Sequence, residues 1–291
     1  MRSDGLRGIH PAPALLYFLA AGICIMLFNH PFMAAFMLGM QILLSIILDK
    51  GRSLWRLRWV MVIGFGFVAL LNPLFNHRGM HILFYFMDQP ITGEALLYGV
   101  NQAMMLISLI LLFVSFQTII DPPKFLNLFA RFSPKAALIV TMAFRFVPLF
   151  RKRLENISMV QRTKGITVSS GTLKQRWLSG MRQLETLLTL SMEESVQTAE
   201  SMAARGYGPR KRTSYVPYRW KLQDVVFASA VFVLWIACFG GWFLGKGQLI
   251  IYPRLEEWQL DSGDTIILVT AVLLHAVPFI VEGRDYLLWR T

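Results

Sequence analysis

Apolar residues in this chain fall into long blocks, and between residues 133 and 205 the blocks give way to stripes. The blocks are residues 12–28, 32–48, 59–75, 94–118, 222–244 and 265–281. Each has about 17 residues or more, the length a helix needs to cross a bilayer. In the striped region Leu173, Trp177, Met181, Leu184, Leu188, Met192, Ala199 and Met202 recur at intervals of three, four and seven. That is one face of a helix. The pattern predicts an all-α polytopic membrane protein with about six transmembrane helices and, after the fourth, a pair of long helices outside the bilayer core. It divides the chain into residues 1–120 with four spans, residues 121–210 with one short and two long helices, and residues 211–291 with two spans.

Basic residues set the expected orientation. Lys50, Arg52, Arg56 and Arg58 crowd the joint between the second and third spans, and such joints stay cytoplasmic. The N-terminus is then cytoplasmic, residues 76–92 are external, and residues 121–210 are cytoplasmic again. Arg210, Lys211, Arg212, Arg219 and Lys221 agree with that side. The first ten residues and the block after them begin like a signal peptide, but a second apolar run follows at once, so residues 12–28 read as an uncleaved span. Residues 80–87 are apolar and too short to cross, which predicts a lid or re-entrant turn.

Residues 136–150 are apolar enough to suggest a further span. Arg145 opposes it, at roughly 2.5–3.5 kcal/mol for a mid-bilayer charge. Arg131 and Lys135 precede the block and Arg151, Lys152 and Arg153 follow it, and one crossing cannot leave both groups on one side. Residues 133–164 therefore read as one long helix lying at the inner interface. Ser133-Pro134 starts it, and Pro148 is the place for a kink. A turn rich in Gly, Ser and Thr at 166–172 leads to a second long helix over 173–205. Ahead of both, Asp121-Pro122-Pro123 opens a short amphipathic helix at 124–132, with Phe125, Leu128, Phe129 and Phe132 on one side.

The two long helices end alike. Gln161-Arg162-Thr163-Lys164-Gly165 closes the first, and Ala203-Ala204-Arg205-Gly206-Tyr207-Gly208-Pro209 the second. Glycine accepts the left-handed backbone that follows a last turn, and Pro209 prevents the helix from resuming. Each tip then carries a cation, Lys164 or Arg205, beside carbonyls that favour positive charge. One such end is an ordinary helix terminus. Two on the same side of a membrane suit two equivalent sockets.

At these residues the chain resembles the transmembrane T component of energy-coupling factor transporters. Ala204-Arg205-Gly206 resembles that family's C-terminal Ala-Arg-Gly motif, and Thr163-Lys164-Gly165 stands where the family has its first one. Lysine keeps the charge there and loses the planar fork of donors. The resemblance runs from His10-Pro11 to about Tyr218. It implies a non-catalytic subunit of an importer, seated between two ATP-binding cassette ATPases and a small membrane protein that captures a vitamin or a transition-metal ion. ATP would be bound by the partners, and this chain would hold no cofactor. The resemblance makes Thr163, Lys164, Gly165, Ala204, Arg205, Gly206 and Tyr207 the ATPase-coupling residues. Met181, Leu184, Leu188 and Met192 would meet the substrate-capturing protein or the other long helix. The helix at 124–132 has a counterpart in the family, whereas the last span is an addition or a variant. The rival readings are a self-contained secondary transporter, which should show repeated membrane halves, and a polytopic membrane enzyme, which should cluster His, Asp or Glu.

Composition narrows the field further. The 291 residues are 55% hydrophobic and 16% charged, with a mean hydropathy of +0.50, too apolar for an ordinary soluble domain. The formal charge of +12 follows from basic cytoplasmic joints rather than from nucleic-acid binding. Cys24 and Cys238 sit within apolar runs and read as small buried hydrophobes. The sequence has no P-loop, so ATP binding by this chain is not expected. His77 and His81 stand four apart and lack a third ligand, so they read as surface residues rather than a metal site. Arg145, alone in its apolar stretch, reads as snorkelling to headgroups or pairing within the bundle. The 15 methionines suit surfaces that repack against several partners.

Overall fold

A computed structural model of the chain describes residues 5–76, 79, 81–86, 89–130, 132–165, 171–208, 220–249 and 261–288. A 3-10 turn at Gly5–Gly8 precedes α1 (Pro11–Leu27), α2 (Pro31–Asp49) and α3 (Arg52–Phe75). Strands β1 (Ile82–Phe86) and β2 (Gln89–Thr92) follow, then α4 (Gly93–Ile119), α5 (Pro122–Ala130), α6 (Pro134–Thr163), α7 (Leu173–Ala204), α8 (Leu222–Phe243) and α9 (Ser262–Leu288). Two compact units result, one of residues 1–125 with 218–291 and one of residues 126–217.

The first unit holds the membrane helices. α2, α3, α4, α8 and α9 are long and apolar enough to cross a bilayer, and α1 is a shorter apolar helix of 17 residues. The chain is a multi-pass membrane protein. α1 and α2 start in the same way. His10 and His30 each accept the N–H two residues on at Nδ1, from Ala12 at 3.2 Å and Phe32 at 3.3 Å. Pro11 and Pro31 fill first-turn positions where no N–H is needed. Tyr17, Phe18, Ala21, Cys24 and Ile25 of α1 form the centre of the buried core with Val231 and Cys238 of α8 and Ala271 and Leu274 of α9. Both cysteines are free, and Cys238 Sγ lies 3.6 Å from Thr270 Oγ1.

α3 is the least enclosed of the spans; 11% of its apolar window is buried. It is held chiefly by α4. Gly99 makes that approach possible, since a Cβ there would lie 2.7 Å from the carbonyl oxygen of Ala69. Small residues let membrane helices approach closely in this way.

The membrane unit corrects the sequence reading at three places. α3 begins at Arg52 rather than at residue 59, because Lys50 and Gly51 both adopt left-handed backbone and turn the chain at once. The basic joint is therefore mostly helix, with Arg58 stacked 3.8 Å over the Trp55 ring. The expected lid or re-entrant turn at 80–87 is instead an antiparallel pairing of β1 with β2. Its β-branched and aromatic residues pair with the strand beside them, and this adds a small hairpin to an otherwise helical protein. α9 continues to Leu288, seven residues beyond its expected end, through Pro278.

Two hydrogen bonds tie the N-terminus to the last two helices. Leu6 N–H donates to Glu282 Oε2 at 3.0 Å, and His10 N–H donates to Asp224 Oδ1 at 3.1 Å. The other oxygen of Asp224 accepts Lys221 N–H at 3.0 Å. Asp224 is buried in the first turn of α8, where helix N–H groups favour an anion. The His10 ring stacks on Trp220 with centroids 4.5 Å apart.

The second unit consists of α5 from residue 126 together with α6 and α7. α6 runs through Pro148 as one helix of 30 residues. α7 has 32 residues and opens on a capping box. In it Thr172 Oγ1 accepts Gln175 N–H at 3.4 Å while Gln175 Oε1 accepts Thr172 N–H at 3.1 Å.

Candidate functional site

The end of α7 is a complete Schellman turn. Arg205 is the cap residue with φ −80° and ψ 2°, and Gly206 follows at φ 85°. Gly206 N–H donates to Ala203 O at 2.9 Å and Tyr207 N–H to Met202 O at 3.0 Å. These two bonds satisfy carbonyls that the helix leaves open. Gly208 is also left-handed, at φ 106°. Arg205 is exposed, as are Ala204 and Gly208, and Tyr207 is 54% exposed.

The end of α6 repeats the arrangement as far as the described residues go. Lys164 is the cap, Gly165 has φ 77°, and Gly165 N–H donates to Arg162 O at 3.0 Å. Thr163, Lys164 and Gly165 are exposed. The same turn closes α8, where Gly245 N–H meets Trp242 O and Lys246 N–H meets Gly241 O. There the cap residue is Leu244. The turn itself is thus a general helix stop, and α6 and α7 differ from α8 in placing a cation on the exposed cap, as α2 also does with Lys50.

α6 and α7 touch over a short stretch, marked by Arg153 Nη1 and Glu194 Oε2 at 2.5 Å. Beside the pair lies a cleft of about 420 Å³ lined by Asn156, Ile157, Leu190, Glu193 and Gln197. From this point Thr163 is ten residues ahead on α6 and Leu173 twenty-one residues back on α7, about 15 and 31 Å of helix. The nine residues joining them, ten Cα-to-Cα steps, reach at most about 36 Å. The two helix directions must therefore diverge by about 90° or more, and the two tips stand more than about 20 Å apart.

The apolar stripe of α7 does not face α6. Met181, Leu184, Leu188 and Met192 are 48%, 46%, 60% and 70% exposed. Gln183 and Leu187 are the buried residues of α7, on the stripe that carries Leu190 and Glu194. Arg145 is exposed on α6 among exposed Val140, Phe144 and Val147. His81 is exposed, and its N–H donates to Glu94 Oε1 at 3.1 Å. His77, Arg131, Pro209, Arg210, Lys211, Arg212 and Arg219 lie outside the described residues, as does most of the turn at 166–172. Among the described residues no three His, Cys, Asp or Glu converge as a metal site would require.

Sequence reasoning missed the Arg153–Glu194 pair, the capping box and the Asp224 anchor. The capping box had a visible signal in Thr172-Leu173-Lys174-Gln175. The other two join residues far apart in the chain, and no local pattern marks them.

Residues 5–215 match the family described as CbiQ, cobalt transport protein. The energy-coupling factor transporter transmembrane protein EcfT of Staphylococcus aureus is 24% identical over 185 residues, which cover 59% of this chain and 68% of that protein. The EcfT protein of Bacillus subtilis is 24% identical over 190 residues, covering 60% and 69%. A shorter match to the EcfT protein of Bacillus selenitireducens reaches 35% identity over 102 residues, and these cover 38% of that protein.

Proposed function

The chain belongs to the CbiQ family, and from that premise we propose that it is the force-transmitting membrane component of an energy-coupling factor importer. It performs no catalysis. Two ATP-binding cassette ATPases bind ATP and close on each other, and the tips of α6 and α7 carry that motion to a small substrate-capturing membrane protein. The unit of residues 126–217 and the N-terminus are cytoplasmic on this reading. The cargo, a vitamin or a transition-metal ion, is chosen by the capturing protein.

The observation that carries the proposal is the pair of exposed cationic caps. Lys164 and Arg205 each stand on a last turn closed by a left-handed glycine. Each would enter an acidic groove on one ATPase, where charge-assisted hydrogen bonds are stronger and more directional than neutral ones. Thr163, Gly165, Ala204 and Gly206 leave room for close approach, and Tyr207 adds packing. The uncovered stripe of Met181, Leu184, Leu188 and Met192 would meet the capturing protein, and methionine suits a surface that must repack as that partner reorients.

Co-purification of the ATPases with Arg205→Glu tests the docking role. We expect loss of ATPase and of ATP-driven uptake, a smaller loss for Lys164→Glu, and none left in the double variant. Unchanged assembly and uptake in Arg205→Glu would reject the proposal.

A further inference from the structure

We propose that Arg153 and Glu194 are positioning residues: their ion pair is the pivot that sets the spacing and facing of the two tips. This rests on the docking reading above for its functional meaning, though the geometry stands by itself. Lys164 lies eleven residues beyond Arg153, and Arg205 lies eleven residues beyond Glu194. Eleven residues make about three turns and return to within about 20° of the same face. The two arms are therefore equal, and each cation projects from the side of its helix that carries the pivot. Two prongs of one length, aimed from one crossing, suit two similar sockets related by an approximate two-fold axis.

The crossing has little else to fix its angle. Among the described residues this is the one ion pair that joins α6 to α7. The Arg151–Glu155 pair runs along α6 alone and is open to solvent at both ends. The Arg153 and Glu194 side chains are only 25% and 33% exposed, so solvent screens them less than a surface pair. Beside the pair, Ile157 and Leu190 are the apolar residues lining the cleft, among polar Asn156, Glu193 and Gln197. Apolar packing is non-directional, whereas a guanidinium and a carboxylate fix direction as well as distance. A small change of angle at this pair moves each tip in proportion to the length of its arm.

The test places spin labels at Val160→Cys and Ser201→Cys, near the tips but outside the cationic caps, in the full chain in lipid nanodiscs. Pulsed dipolar spectroscopy reads the distance between them. Arg153→Glu and Glu194→Arg should each broaden and shift the distribution, and the exchanged pair Arg153→Glu with Glu194→Arg should restore it. Distributions unchanged in the single variants, or an exchanged pair as broad as either, would overturn the proposal. If a charge reversal does not fold, Glu194→Gln carries the same comparison without repulsion. In the assembled transporter the single variants should keep their ATPases while uptake per ATP hydrolysed falls, and the exchanged pair should regain it. A chain that retains no ATPase even as wild type defeats the docking reading, while the tip distances still decide whether the pivot exists.

Discussion

The backbone N–H of Tyr207 reaches the carbonyl of Met202 at 3.0 Å, and this bond closes because Gly206 stands between them at φ 85°. A side chain at that φ costs about 1–2 kcal/mol. Gly206→Ala should therefore loosen the last turn of α7, with amide exchange at Gly206 and Tyr207 faster by about tenfold. The rest of α7 should exchange as before. Equal protection in both forms would mean that the turn does not depend on the glycine.

Lys164 occupies the cap that corresponds to Arg205, with a point charge in place of a planar fork. If both caps dock, Lys164→Arg should hold the ATPases through a higher salt wash than the natural chain does. Lys164→Gln should release them at lower salt. Quantifying the ATPase retained along a salt series checks both, and no difference among the three would remove Lys164 from the interface.

Asp224 is buried and accepts N–H groups from His10 and Lys221. Asp224→Ala should leave the His10 amide without its partner and cost about 1–3 kcal/mol. Thermal unfolding in detergent should show a lower Tm. Asp224→Asn should fall between the two, since its amide keeps one acceptor oxygen. An unshifted Tm in Asp224→Ala would show that the N-terminal anchor contributes nothing.

His30 is buried at the turn between α1 and α2, and burial pushes its pKa below the usual histidine value while Asp264 pulls it partly back. Its Nδ1 accepts Phe32 N–H, which only the neutral ring can do. The unfolded chain therefore takes up a proton first, near pH 6.5. Stability is full above that pH and declines as pH falls from there towards the folded pKa. The natural protein should lose Tm between pH 7.5 and 5.5, and His30→Asn, which can still cap α2, should lose less. Parallel declines would place the acid sensitivity elsewhere.

Much of the architecture was readable in advance because membrane helices announce themselves locally. The signal is repeated along α1, α2, α4 and α8, and their observed ends fall within a residue or two of those expected. The tips were readable too, since a left-handed cap favours glycine and Gly165 and Gly206 supply it. The start of α3 was not, because a positive φ at Lys50 has no signature in residue type. The hairpin of β1 with β2 was missed because a short apolar run has the same composition in a strand and in a turn.

Sequence alone determined that this chain enters the membrane several times, that two long amphipathic helices interrupt the spans, and that each ends in a cation on a glycine cap. Those features follow from hydropathy, period and backbone sterics, all of which act over a few neighbouring residues. Only the tertiary structure decided that the Met181 to Met192 stripe is left uncovered, that Arg153 meets Glu194, and that Asp224 holds His10. Each of these depends on which of several available faces packs against which, and that choice is made by the whole chain at once.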